Sequence, residues 1–316
     1  MAVLASPDYL LQEEEAGDQT AWKAGRFGLG RGTQKLLFGQ MYEDVENIEW
    51  RYFPRESRVF AIASAGCTAI SLAADHCVTA VDINPVQLEY ARDRAEGVPP
   101  QRGAAERLMA YGRRLFPLMG WDRASLQVFL NMEDPREQLR FWRERLDTRL
   151  FRAGINVVLS PLLLRTVYSS GFLTFLPKHF GHVVRLRLER CWATHPNREN
   201  PYTRALFTGE LAPERRTRRA LDIQFTIADA ASYLESCQPG SFDAFTFSNI
   251  LDGASPAYRQ RLFAAARRAA SPDAVAVLRS FAEPTGREFN NVAVDDRSPL
   301  WGVVDVRPAR ALEDKA

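Results

Sequence analysis

The sequence predicts an α/β protein built on a doubly wound, mostly parallel sheet. Three observations carry that prediction. The apolar run Val59 to Ala63 ends in the small residues Ser64, Ala65, Gly66 and Cys67. A short helical pattern follows, and a second apolar run from Thr79 then ends on Asp82. Beyond residue 220 the alternation of strand, helix and turn returns. In such a sheet ligands sit at the carboxyl ends of the strands.

The first two runs read as a strand–helix–strand unit. Small residues after a first strand let backbone N–H groups approach a ligand, and an acidic residue ending the second takes both hydroxyls of a ribose. One glycine stands where dinucleotide sites carry three, so a nucleoside site and a plain buried unit both remain open. After Asp82, Pro85 to Ala95 is a helix with Pro in its first turn and Asn84 as N-cap. Gly97 to Gly103 breaks the pattern.

Upstream, Gly25 to Gly32 reads as a loop, with no Lys-Ser/Thr to make it a phosphate loop. Leu36 to Glu49 reads as a helix carrying Gln40, Tyr42, Glu43 and Asp44, either near the ligand or as a solvated acidic end. Between about residues 104 and 219 the patterning is helical: Ala105 to Leu115, Asp122 to Asn131, Pro135 to Leu150 and Pro201 to Leu206. Arginines and aromatics interleave there, among them Trp121, Phe129, Phe141, Trp142, Phe151, Tyr168, Phe172, Phe180 and Trp192. Most of these aromatics are expected to be the core of that segment, with some facing a substrate.

The returning strands are Leu221 to Ile227, which ends at Asp229 and Ala230, then Phe242 to Phe247, which ends at Ser248 and Asn249, and Ala274 to Phe281. Helices at 231–237 and 256–270 separate them. Gly66, Asp82, Asp229 and Asn249 thus all fall at carboxyl ends of strands. The division expected is an N-terminal helical segment (1–57), an α/β ligand-binding domain (58–103 and 220–316) and a helical insertion after the second strand (104–219) that caps the substrate.

Composition excludes several alternatives. With 316 residues, 46% of them hydrophobic, the chain can bury a sizeable core. A net charge of +2 gives no ground for a nucleic-acid partner, and Arg215 to Arg219 reads as a solvated helix face. Cys67, Cys77, Cys191 and Cys237 lack metal-ligand spacing, so no metal is expected, and reduced thiols suit a cytoplasmic protein. Glu13 to Glu15 interrupts any signal-peptide core. The most apolar window, Asn156 to Leu176, is broken by Pro161 and Arg165; it is expected to touch a membrane surface at most.

Five short stretches, in order, resemble the S-adenosylmethionine:diacylglycerol 3-amino-3-carboxypropyltransferases of betaine-lipid synthesis. They are Gln40 to Asp44, Ser64 to Cys67, Ala80 to Pro85, Ser248 to Asp252 and Asp296 to Gly302. Tyr42 stands where that family usually has Trp. The resemblance implies a class I methyltransferase-like sheet with a helical insertion after its second strand. It also implies S-adenosylmethionine as co-substrate, diacylglycerol as the hydroxyl acceptor with methylthioadenosine released, and a cytoplasmic protein peripheral to the inner face of the membrane.

On this reading Tyr42, Ser64, Ala65, Gly66, Cys67, Asp82, Ile83, Asn84, Gln87, Asp229, Ala230, Ser248 and Asn249 bind the donor. Within that set Asp82 takes the ribose, Asp229 with Ala230 the adenine, and Asn249, with Asp252, the amino-acid end. Glu43, Asp44, Asp252 and His195 are candidates for the base, and Arg165 or Arg204 for a carboxylate clamp. The sulfonium activates all three attached carbons, so alignment selects the group moved. An ordinary methyltransferase, transfer to a small soluble acceptor and a non-catalytic nucleoside-binding protein stay open beside it.

Overall fold

The computed structural model describes residues 35–165, 170–210 and 221–313. The stretches 13–15, 25–32 and 215–219, and Tyr168, lie outside the described residues. A short helix α1 (Glu49–Tyr52) leads into β1 (Arg58–Ile62), α2 (Cys67–Leu72), β2 (Cys77–Asp82) and α3 (Pro85–Ala95). A helical stretch follows: α4 (Ala104–Arg114), a 3-10 turn (Phe116–Met119), α5 (Arg123–Leu130), α6 (Pro135–Phe141), a π turn (Trp142–Leu146), α7 (Arg149–Val158), α8 (Pro161–Leu164), α9 (Ser170–Phe175), α10 (Phe180–Thr194) and α11 (Pro201–Thr208). The chain then returns to the sheet with β3 (Ile223–Ile227), α12 (Ala230–Ser236), β4 (Phe242–Thr246), α13 (Pro256–Ala269), β5 (Ala270–Ser280) and β6 (Val303–Pro308).

The six strands form one sheet in the order β3-β2-β1-β4-β5-β6, parallel except for β6, which runs antiparallel to β5. This is a mixed α/β fold compatible with a Rossmann-like sheet. Helices cover both faces, which is why Val59 to Ile62 are buried without alternation. One face packs Ile48, Phe53, Leu72, Leu88 and Trp301; the other packs Phe60, Phe245, Phe247, Leu234 and Leu262. The helices between β2 and β3 have a separate core of Trp121, Phe129, Trp142, Phe151, Trp192 and Phe207. Strand order reverses between β1 and β4, the position at which sheets of this kind open a crevice at their carboxyl ends.

Three local expectations are corrected. Residues 36–44 are not helical but run as an irregular strap. The reason is that side chains far along the chain satisfy the strap's amides, leaving no helical hydrogen bonds to make. Leu37 and Phe38 N–H donate to Gln87 Oε1, Gly39 and Gln40 N–H to the Glu106 carboxylate, and Met41 N–H to Cys67 Sγ. The stretch 135–150 is not one helix. It stops at Asp147, whose carboxylate is held by Arg152 and Arg185, and restarts at Thr148, which caps α7 by accepting from Phe151 N–H. The antiparallel edge strand β6 follows the Asp296–Gly302 stretch and had no counterpart in the sequence reading.

Candidate functional site

The turn after β1 is built for close approach. Ser64 and Gly66 both adopt left-handed backbone conformations, φ 45° and 85°. Gly66 begins α2, and a Cβ there would sit 3.2 Å from Ala91 of α3. Only glycine meets both conditions without strain. Gly66→Ala is therefore expected to lower stability by ~1–2 kcal/mol, read as a shifted urea midpoint. An unchanged midpoint would contradict the close packing described.

Asp82 stands beside this turn at the end of β2. Its Oδ2 accepts Ser64 N–H at 3.0 Å and its Oδ1 accepts Asn84 N–H at 2.9 Å. Each carboxylate oxygen keeps a lone pair for a further donor. Burial pushes the carboxyl up to about 7, against the pull of the Asn84, Ser64 and Ile83 amides. Ile227, the register partner of Asp82 on β3, is an exposed apolar residue. Ile83 is half-buried next to Asp82. A ribose-bearing ligand fits this arrangement.

Two residues assigned to the donor have other work. Asn84 caps α3 through Val86 N–H and donates its Nδ2 to Lys35 O. Gln87 both accepts from the strap and donates Nε2 to Phe38 O. Their side chains are buried and tie the strap to α3. Cys67, at the start of α2, accepts from Met41 N–H and from Arg94, which also binds the carbonyls of Gly39 and Ala65. The β1 turn and the strap are thus one unit with the side chains of α3 and α4.

The acidic pair in the strap is buried, not solvated. Glu43 accepts Thr68 Oγ and Ser248 Oγ, each at 2.5 Å, and so spans the crevice from α2 to the end of β4. Asp44 is engaged by Arg297 through Nε and Nη2, both at 2.6 Å, by the Arg297 N–H and by Asn47. Trp301 Nε1 donates to Tyr42 O at 2.6 Å. The 40–44 and 296–302 stretches, over 250 residues apart, therefore interlock. Beneath them Arg279 makes a two-point ion pair with Glu49 at 2.5 and 2.9 Å and approaches Asp296 at 3.5 Å, all fully buried.

At the other strand ends, Asp229 caps α12 by accepting Ser232 N–H, and it also bonds the Tyr258 hydroxyl. Ala230 is buried behind it. Ser248 is left-handed, with φ 51°, and turns the chain towards Asn249. Asp252 accepts Ser280 Oγ at 2.7 Å and Phe281 N–H at 2.9 Å, with Asn249 Nδ2 3.4 Å away. Burial pushes its carboxyl up to about 6. His195 lies apart from this group: it ends α10, and its Nε2 meets Val294 O at 2.9 Å. Arg204 reaches Leu130 O at 3.4 Å, and Arg165 is exposed at the end of α8.

A cavity of about 260 Å³ connects the strand ends to the helices. At the sheet its wall is Gln40, Tyr42, Asn249, Phe281 and Trp301; further in it is apolar, with Trp121, Phe151, Phe172 and Phe180. Burial, then the nearby Glu106 carboxylate, pushes the Tyr42 hydroxyl up to about 12. Arg113 is the arginine in this wall, with Nη1 3.3 Å from Leu206 O. The sequence reading named neither Arg113 nor Glu106; their one signal was polarity on a helix that otherwise turns apolar residues inward. Neither protein-family models, nor curated proteins, nor solved structures yield a match to this chain.

Proposed function

We propose that the protein transfers the 3-amino-3-carboxypropyl group of S-adenosylmethionine to a hydroxyl on an apolar acceptor, most simply diacylglycerol. The observation that carries this reading is the apolar cavity meeting the strand-end crevice at Tyr42 and Asn249. The fold type behind it is a class I methyltransferase-like sheet, with the helices from α4 to α11 as an inserted cap. Order reversal between β1 and β4 and the Gly66–Asp82 geometry support that assignment.

In this reading the β1 turn cradles the donor, Asp82 accepts from its ribose, and Ile227 backs its adenine. The acceptor oxygen forms its bond to the carbon attached to sulfur in the aminocarboxypropyl arm. The carbon–sulfur bond breaks with its electron pair going to sulfur, and methylthioadenosine leaves uncharged. Asp252 is the candidate for the hydroxyl proton: it adjoins two wall residues, Asn249 and Phe281, and is a carboxylate above about pH 6. Glu43 positions α2 against β4, Asp44 holds the strap to Arg297, and His195 is away from the cavity wall.

Incubation with donor and diacylglycerol micelles, beside a panel of phenols and amines, tests the proposal. Methylthioadenosine with label in the lipid is the expected result. S-adenosylhomocysteine would make the protein a methyltransferase instead, and label only in aqueous products would move the acceptor to a small soluble molecule. Neither product, with donor still bound, would favour a binding role.

Gly112 provides a sharper probe of the cavity. It lines the wall on α4, and a Cβ there meets nothing within 4 Å. Gly112→Leu should fill the cavity and add ~0.5–1 kcal/mol of helix stability. Turnover of a long-chain acceptor is expected to fall ~tenfold or more, while donor affinity in calorimetry stays the same, because one misplaced group in a packed site costs that much alignment. Unchanged turnover would place the acceptor elsewhere.

A further inference from the structure

The helices that wall the cavity also present apolar side chains to solvent. Leu118 on the 3-10 turn is 71% exposed, Leu150 and Val157 on α7 are 63% and 61%, and Leu162 on α8 is 75%. Leu150 and Val157 are seven residues apart and share one face of α7. Other side chains of the same elements, Met119, Ile155, Val158 and Leu164, line the cavity. Four large, largely bare side chains on adjacent elements exceed the scattered apolar exposure usual for a protein surface.

Charge singles out the partner. On α4, the 3-10 turn, α7 and α8, with Arg165 at the end of α8, every exposed charge among the described residues is an arginine: Arg107, Arg114, Arg149, Arg152 and Arg165. The acid on these elements, Glu106, is buried and occupied by the amides of Gly39, Gln40 and Gly103. Arg152 is paired with Asp147, whereas Arg114 lies over the Tyr111 ring at 5.2 Å, an amphipathic pair of the kind found at interfaces. Apolar residues rimmed by arginines, with no exposed acid on these elements among the described residues, complement a surface of anionic headgroups over hydrocarbon.

We infer that this face docks on an anionic lipid bilayer. Leu118, Leu150, Val157 and Leu162 enter the boundary between headgroups and chains, and the arginines meet lipid phosphates. The docked orientation brings the cavity wall to the bilayer, so a lipid acceptor reaches it without crossing water. This deepens the lipid reading of the acceptor and rests on it for its purpose, though docking itself is measured without turnover.

The test is co-sedimentation of the full chain with phosphatidylglycerol vesicles and with phosphatidylcholine vesicles. The expected result is binding at least ~tenfold tighter to the anionic vesicles, weakening as salt is raised. Replacing Leu118, Leu150, Val157 and Leu162 together with Asn should abolish vesicle binding and leave donor affinity unchanged. A second variant, Arg114→Gln with Arg149→Gln and Arg165→Gln, should erase the preference for anionic vesicles. Equal binding to both compositions, or undiminished binding by the leucine variant, overturns the inference. So does a wild-type dimer that the leucine variant dissociates in the absence of any vesicle binding. Turnover of micelle-dispersed acceptor reports on the acceptor separately: docking lost in the leucine variant with turnover kept leaves the lipid reading intact, and docking by the wild type with no lipid turnover rejects that reading alone.

Discussion

Arg279→Met should lower the free energy of unfolding by ~3–5 kcal/mol, the usual consequence of stranding a buried partner charge. Arg279 and Glu49 are both 0% exposed, and Asp296 adds a second carboxylate 3.5 Å from the guanidinium. Thr246 Oγ also donates to Glu49, so the pair joins α1, β4 and β5. Removing the cation leaves acids packed together with no counter-charge. Guanidinium unfolding followed by circular dichroism gives the number, and a midpoint equal to wild type would rule the network out as a structural centre. A second variant, Glu49→Met with Arg279→Met, should recover part of the loss because no orphan charge remains at that pair.

Asp296 adds a pH dependence with a definite sign. Burial pushes its carboxyl up to about 7. Between its unfolded value of ~4 and about 7, the folded chain holds a proton that the unfolded chain has released. Stability contributed by this group is therefore present at low pH and falls as pH rises through that window. Asp82, raised in the same direction by burial, acts with the same sign in the ligand-free protein.

Asp82→Ala should weaken S-adenosylmethionine binding by ~1.5–3 kcal/mol, or roughly ten- to a hundred-fold, through loss of charge-assisted hydrogen bonds to the ribose. Its two fixed oxygens are oriented by the Ser64 and Asn84 amides, so the acceptors are in place before any ligand arrives. Because the carboxyl titrates near 7, donor affinity in wild type is expected to decline as pH drops below about 7. The alanine variant should lose that dependence along with the affinity. Titration calorimetry across pH settles both: equal affinity in a folded Asp82→Ala protein would remove this residue from the site.

Local patterning was enough to read the sheet. Buried strands in a parallel sheet are apolar on both faces, so Val59 to Ala63 stands out as a continuous run, and Phe242 to Phe247 as an aromatic run interrupted by Asp243 and Thr246. Strand ends are equally legible, because a small or acidic residue interrupts each run: Gly66, Asp82, Asp229 and Asn249 all lie at such ends. The caps of α3 and α12 follow from short-range hydrogen bonding by Asn84 and Asp229. The helical pattern between β2 and β3 likewise rests on local periodicity.

The roles of the polar residues needed the tertiary structure. Nothing local says that Gln87 and Glu106 satisfy the amides of residues 37–40, and so a helical-looking strap runs without helical structure. Nor does spacing reveal that Asp44 meets Arg297 or that Glu43 bridges Thr68 and Ser248, since each contact joins segments far apart in sequence. The cavity is of the same kind, its wall assembled from the strap, six α-helices, a 3-10 turn and two strand ends. What the sequence determined by itself was the set of residues placed at the rim, because strand ends are local events. Which of them face a ligand and which hold the protein together was decided by long-range hydrogen bonding and burial, because those depend on the partner each side chain finds.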